Sequence, residues 1–302
     1  MGFYVDGILG IDFGGTSLKS CLATGSQLKL YDAIPTPKDM AALRKSLMEV
    51  SKLANDDLHT SVAGVGIGLP GLVGQDGEAL FLPHLKDFSS LNFVQLVEDI
   101  VGAPARLDND ANCAGVAELR EIGACASGYE VVIGIGTGLG AAIFGPGGIA
   151  RGFSGFSGEV GHICIERNGR SCECGRRGCW EQYCSGGSIR SELDSAGWVD
   201  INIEEVFREM DVNPDFKSLV EEFCFHLGLG IANLVAILDL ERVVLTGGLA
   251  RSLEAVLPKV RRYYLELVEG AGARRETEIR VGSLFEFAGA IGATYLWNLV
   301  DG

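Results

Sequence analysis

Apolar positions along the chain fall into two patterns. Short continuous runs such as Ile8 to Phe13 and Val131 to Ile135 have the length and β-branched content of buried strands. Apolar residues returning every three or four positions mark helix faces instead. The run from Ile8 to Ala23 breaks at Gly14-Gly15-Thr16 and resumes, which predicts a hairpin with a glycine tip rather than the strand, turn and helix of a dinucleotide fingerprint. Val131 to Phe144 repeats that layout around Gly136-Thr137-Gly138. Two copies of one unit point to a duplicated domain.

Between the copies lie a helical stretch from Met40 to Ala54, a strand from Val62 to Leu69, a helical stretch from Phe93 to Val101 and the segment Ala105 to Arg120. Beyond them, Ser218 to Leu238 has helical spacing and leads into a strand from Val243 to Gly248. A helical stretch from Leu253 to Val268, a short strand near Ile279 and an apolar helix from Phe287 to Val300 complete the pattern. Alternating strands and helices predict the α/β class. From Gly145 to Gly187 glycine and cysteine replace any periodicity, so something other than an apolar core is expected to hold that stretch. The boundary is expected near Cys113. One domain would comprise 1–113 with the terminal helix, 287–302, returning to it, and the other 114–286.

Charge narrows the function. The 302 residues carry 40 acidic and 25 basic side chains, a formal net charge of −15. That sign opposes binding to a phosphate backbone, so no nucleic-acid partner is expected. The 43 glycines cluster without a period, which excludes collagen-like and low-complexity classes. Val131 to Ala150 is uncharged and of membrane length, but repeated glycines and Pro146 favour two short strands over a span. No membrane association is expected. The N-terminus has no basic region, and Asp12 interrupts its first apolar run before a secretory segment could end in a cleavage site. Nine cysteines without such a signal indicate a reducing compartment, and the cytoplasm is the expected location.

Three glycine loops offer backbone amides at strand ends: Gly14-Gly15-Thr16, Gly136-Thr137-Gly138 and Thr246-Gly247-Gly248. Each alone serves equally as a structural turn; together they outline loops able to cradle phosphates. Asp12, ending the first strand, either caps its turn or orients magnesium held largely through water. Leu107-Asp108-Asn109-Asp110-Ala111-Asn112 is either a helix N-cap cluster or the source of a carboxylate that takes a hydroxyl proton in phosphoryl transfer.

The most specific pattern is Gly158-Glu159-Val160-Gly161-His162 followed by Cys172-x-Cys174-Gly175-x-x-Gly178-Cys179-x-Glu181. One imidazole and three thiolates, His162, Cys172, Cys174 and Cys179, make a closed ligand set for structural zinc, with Gly175 and Gly178 letting the backbone return to the ion. The competing explanation is a scatter of buried cysteines. Cys164 and Cys184 lie nearby but outside the compact unit. Cys21, Cys113, Cys125 and Cys224 have apolar neighbours and are expected in the core, as is a hydrogen-bonded His226. His59 is expected in a solvated loop.

Gly10-Ile-Asp-Phe-Gly-Gly-Thr16, Asn109-Asp-Ala-Asn112, Gly136-Thr-Gly-Leu-Gly140, Gly158-Glu-Val-Gly-His162, the cysteine unit and Val244-Leu-Thr-Gly-Gly-Leu249 occur in an order that resembles the ROK-family sugar kinases. The resemblance runs from Ile8 to about Leu296. It implies a two-lobed, actin-like ATPase fold related to ribonuclease H, with a structural zinc segment, and a likeness to bacterial glucokinases and N-acetylglucosamine kinases. By that resemblance Asp110 is the general base. Asn109, Asp110, Glu159, His162 and Glu181 contact the sugar, and Asp12 orients magnesium. Gly14, Gly15, Thr16, Gly136, Thr137, Gly138, Gly247 and Gly248 hold ATP. One ring nitrogen of His162 would bind zinc while the other faces the sugar.

The implied activity is transfer of the γ-phosphate of ATP to the 6-hydroxyl of glucose, with N-acetylglucosamine or N-acetylmannosamine as alternative substrates. Some members are repressors, so a non-catalytic sugar sensor is the reading of a different class. The chain begins at the first phosphate motif, which disfavours a preceding DNA-binding domain. A homodimer is implied. His84, in Phe81-Leu-Pro-His84-Leu85, replaces an asparagine usual in the family.

Overall fold

The computed structural model describes residues 7–74, 79–82, 88–89, 91–125, 128–270 and 272–297. Contacts group these into two compact units. The first comprises Met1–Glu121, Arg151–Ser157 and Phe287–Gly302, the second Ile122–Ala150 and Gly158–Glu286.

The first unit is built on β1 (Ile8–Phe13), β2 (Ser17–Thr24), β3 (Gln27–Leu30), β4 (Ile34–Pro35), β5 (Gly64–Leu69) and β8 (Ala105–Asn109). Its sheet runs β3-β2-β1-β5-β8, with β4 paired to the start of β2. β1 is antiparallel to β2 and parallel to β5, and β5 is parallel to β8. Six fully buried residues in each of β1 and β5 reflect a sheet covered on both faces. A small ribbon, β6 (Leu72–Val73) with β7 (Ala79–Phe81), lies outside it.

Helices α1 (Met40–Leu58), α2 (Phe93–Val101), α3 (Asp110–Ile122) and α9 (Ala288–Thr294) belong to this unit. Asp39 and Asn92 cap α1 and α2 through their side-chain oxygens. α9 packs on β1 and β5 so closely that a side chain at Gly10 or Gly66 would strike the Ala290 or Ala293 carbonyl.

The second unit repeats the scheme with β9 (Tyr129–Ile135), β10 (Leu139–Gly145), β11 (Gly148–Ile149), β12 (Leu240–Thr246) and β13 (Glu278–Val281), ordered β11-β10-β9-β12-β13. β9 is antiparallel to β10 and parallel to β12, and β12 is parallel to β13. The sequence of pairings matches that of the first sheet, as the repeated hairpin predicts. Val131 to Ala150, the uncharged stretch of membrane length, folds as β9, β10 and β11. Helices α4 (Glu181–Cys184), α5 (Gly186–Ser195), α6 (Ile203–Glu209), α7 (Pro214–Leu238) and α8 (Ala250–Leu267) complete the unit. α7 is the one helix among the described residues long and apolar enough to cross a membrane, but more than half of its most apolar stretch is buried in the core of its own unit.

Two sequence expectations change. The boundary placed near Cys113 falls inside α3, whose thirteen residues form one hydrogen-bonded element that stays with the first unit nearly to its end. The stretch from Gly145 to Gly187 is not without a core either. Val160, Trp180, Tyr183 and Cys184 join the apolar cluster of the second unit, and Trp180 is wholly buried with its indole N–H donating to the His226 carbonyl at 2.9 Å.

Candidate functional site

The candidate residues form one set in each unit. In the first, β1 delivers Asp12 to its C-terminal end, and the turn Gly14-Gly15-Thr16 follows. That turn is closed by the Gly14 amide on the Ser17 carbonyl at 3.0 Å and by the Thr36 hydroxyl on the Gly14 carbonyl at 2.6 Å, leaving Thr16 exposed. Asp12 is 8% exposed, and its Oδ1 is buried with no hydrogen-bond partner among the described residues. Burial, with the Asp110 charge adding to it and Lys19 opposing, pushes its carboxyl from 3.8 up to about 7. A buried carboxylate oxygen without a partner, beside a second carboxylate, has the charge and donor type that a magnesium ion takes.

β8 leads directly into α3, so Asp108, Asn109, Asp110 and Asn112 crowd one strand-to-helix junction. Asp108 is buried and paired with Arg151 at 2.7 Å, and it accepts from the Asn112 side-chain Nδ2 at 2.9 Å. Asn109 Oδ1 accepts from the Ala111 and Asn112 amides at 2.9 and 3.2 Å while its Nδ2 donates to the Gly71 carbonyl at 3.0 Å. Asp110 Oδ1 accepts from the Ala111 amide at 2.8 Å. Asn109 thus caps the helix, and the capping holds Asp110 at its positive end. Arg151 was not legible as part of the site, because it lies far along the chain in a polar glycine-rich stretch.

Replacing Asp12 is expected to change stability in a pH-dependent way. Its carboxyl titrates higher folded than unfolded, so the folded state binds the extra proton between pH 3.8 and about 7, and stability falls as pH rises through that window. Asp12→Asn removes this cost. In the absence of divalent cations the variant is expected to be more stable than the parent at pH 8, on the order of 1–4 kcal/mol, with the gain shrinking towards pH 4. Urea unfolding at the two pH values checks it; an equal effect at both would contradict the assignment.

In the second unit, Glu159, His162, Glu181 and the three cysteines gather. Ligand atoms of His162, Cys172, Cys174 and Cys179 all lie within 4.8 Å of one another. His162 Nδ1 is 3.7 Å from Cys172 Sγ, and Cys174 Sγ is 3.6 Å from Cys179 Sγ. The knuckle closes through the Gly175 amide on the Cys172 carbonyl and the Cys172 amide on the Arg176 carbonyl. Gly178, at φ 73°, passes so close to the Glu166 carbonyl that no side chain fits. Burial raises the Cys174 thiol, but hydrogen bonds from Arg176 and the neighbouring thiols outweigh it and hold it down to about 6. One imidazole with three thiols, one of them readily ionised beside an arginine, suits zinc.

The other ring nitrogen of His162, Nε2, lies 3.8 Å from Glu159 Oε2. Burial raises the Glu159 carboxyl, with His162 opposing and Glu181 adding to the rise. Glu181 begins α4, and its Oε2 accepts from the Leu139 amide at 2.9 Å, filling the space that a side chain at Gly138 would take. Glu181 is thereby tied to the turn Gly136-Thr137-Gly138. Thr137 is exposed, and a β-carbon on Gly136 or Gly248 would meet nothing within 4 Å, so both loops present bare backbone. Gly247, at φ 94°, folds back on the end of β9.

Of the remaining residues, Cys21, Cys113 and Cys224 are buried as expected, but Cys125 is only partly so, because it sits where the chain leaves α3. His226 is half-exposed rather than a core residue, with Nδ1 on the Glu222 carbonyl at 2.9 Å and its ring against Tyr183. His59 is exposed and ends α1 in a left-handed conformation. His84 lies outside the described residues.

A sequence profile described as the ROK family matches residues 8–299. A glucokinase of Halalkalibacterium halodurans is 28% identical over an alignment covering 95% of this chain and 94% of that protein. An N-acetylmannosamine kinase of Vibrio cholerae is 28% identical over 80% of this chain and 83% of its own length. The crystal structure of a ROK family glucokinase from Streptomyces griseus, in complex with glucose and AMPPNP, superposes with a TM-score of 0.86 at 26% identity, covering 96% of this chain and 98% of that one.

Proposed function

Since the chain belongs to the ROK family and has the actin-like ATPase fold of its glucokinases, we propose that it is an ATP-dependent kinase transferring the γ-phosphate to the 6-hydroxyl of glucose. The carrying observation is the buried, unpartnered Asp12 oxygen beside Asp110. A protein that only senses sugar gains nothing from a desolvated carboxylate beside a second one, whereas phosphoryl transfer uses one for a cation and the other for a proton. The likeness to glucokinases, one with glucose and a nucleotide analogue, supports the same reading.

Asp110 takes the proton of the attacking hydroxyl as its oxygen bonds to the γ-phosphorus and ADP leaves. The second amide hydrogen of Asn109 Nδ2, the first being committed to Gly71, is available to a sugar oxygen. Glu159 and Glu181 accept from ring hydroxyls, and His162 Nε2 stands beside Glu159 for the same purpose. The amides of Gly14, Gly15, Thr16, Gly136, Thr137, Gly138, Gly247 and Gly248 receive the nucleotide phosphates. Asp12 would orient magnesium, which would supply charge neutralisation of the phosphates. His162, Cys172, Cys174 and Cys179 would hold zinc as a cross-link of the segment that carries Glu181.

Charged acceptors favour substrates with a full ring of hydroxyls, because a carboxylate left without its donor is costly. An acetamido group needs room and an amide partner near the 2-position, and among the described residues of the site none is assigned to that position. N-acetylmannosamine and N-acetylglucosamine remain the second reading, on the strength of the N-acetylmannosamine kinase relative. An ADP-release assay with saturating MgATP over glucose, the two N-acetylhexosamines, mannose, fructose and allose decides between them. Glucose is expected to have the highest kcat/KM; a tenfold preference for an N-acetylhexosamine would overturn the choice of sugar and leave the kinase standing.

A further inference from the structure

Cys164 and Cys179 face each other across an isolated antiparallel bridge. The Ile165 amide donates to the Gly178 carbonyl at 2.8 Å and the Trp180 amide to the Ile163 carbonyl at 2.9 Å. Those bonds flank the two cysteines, which makes them a non-hydrogen-bonded pair. In such a pair the α-carbons stand about 4.5 Å apart and the side chains leave the ribbon on the same side. That separation falls within the roughly 4.4–6.8 Å that disulfides span.

The two thiols differ in access. Cys179 is buried among the four candidate ligands, whereas Cys164 is the exposed cysteine outside that set. Nothing in the proposed chemistry uses Cys164, and a serine there would bridge the strands equally well. A solvent-facing thiol directly opposite a metal ligand has one distinctive capability. It can be oxidised first and then capture its partner.

We propose that Cys164 is an oxidative modification site whose disulfide with Cys179 dismantles the metal centre; this rests on the reading of His162, Cys172, Cys174 and Cys179 as metal ligands. The oxidant is a hydroperoxide, with hydrogen peroxide as the simplest case. The Cys164 sulfur attacks one peroxide oxygen, the O–O bond breaks, and the thiol becomes a sulfenic acid as water leaves. The Cys179 sulfur then gives up its place in the ligand set and attacks the sulfenic sulfur. The S–O bond breaks, hydroxide leaves and takes a proton from solvent, and the S–S bond forms. Two cysteines lose two electrons and the peroxide gains them. Three donors remain, and Trp180 and Glu181, next in the chain, lose the tether that the centre provides.

The test uses the full chain, loaded with zinc and quantified by elemental analysis before oxidation. Hydrogen peroxide is added with a chromogenic zinc chelator, and the protein is then digested and mapped by mass spectrometry, with fragmentation that separates Cys179 from Cys184. Expected are zinc release, a Cys164–Cys179 cross-link, reversal of both by dithiothreitol and zinc, and release slowed about tenfold or more in Cys164→Ser. Release at the parental rate from Cys164→Ser, or cross-links confined to Cys172, Cys174 and Cys179, would overturn the proposal. Absence of zinc before oxidation would refute the metal reading itself, and the peptide map would still report whether Cys164 and Cys179 join.

Discussion

Asp110→Asn is expected to lower kcat by at least about 10²–10⁴-fold, the range that a positioned general base contributes, while sugar affinity stays within a few-fold of the parent. The amide keeps the size and polarity of the side chain at the start of α3, and its oxygen can still accept from the Ala111 amide. What it loses is the capacity to take a proton. The same change removes the negative charge that helps push Asp12 upward, so cation binding also changes, and turnover is compared at saturating magnesium. Steady-state kinetics with calorimetric sugar titration separates the effects. Near-normal kcat would remove Asp110 from the chemistry; lost sugar binding with unaltered single-turnover rate would make it a binding residue only.

Cys174→Ser is expected to have the second large effect. A structural centre couples ligation to folding, so one lost thiolate should empty most of the site and lower stability by about 4 kcal/mol or more. The local consequence is predictable from the chain. Cys179 is followed by Trp180, which anchors to α7, and by Glu181, which holds the Leu139 amide. Loosening the knuckle should therefore weaken sugar binding indirectly, whereas His162→Ala should weaken it directly through the ring nitrogen beside Glu159. Elemental analysis of protein purified without chelator, with urea unfolding of parent and variant, checks the pair. A parent without zinc, or a variant that retains it, would contradict the assignment.

Much of this molecule was legible in the sequence because its strands are continuous apolar runs that end at glycine loops. Ile8 to Phe13 and Val131 to Ile135 announce β1 and β9, and the repeated hairpin announces the matching order of the two sheets. The helix limits were less exact. α7 begins at Pro214, four residues before its apolar periodicity does, because Asn213 and the proline define its first turn. The short strands β3 and β4 carried no clear signal; their pairing partners, not their own residues, make them strands.

The cysteine unit was readable because its spacing imposes its own geometry. The core attachment of the same segment was not, since Trp180, Tyr183 and Cys184 are too few to form a period. Arg151 illustrates a further limit: its pairing with buried Asp108 joins residues far apart in the chain, and nothing local to either announces the other.

Phosphoryl transfer from ATP to a sugar hydroxyl can be followed directly by ³¹P NMR of the protein with MgATP and glucose. The γ-phosphate signal is expected to disappear, matched by ADP and by one phosphomonoester coupled to the protons on carbon 6. Binding of glucose with no new phosphomonoester, or hydrolysis to inorganic phosphate alone, would contradict it.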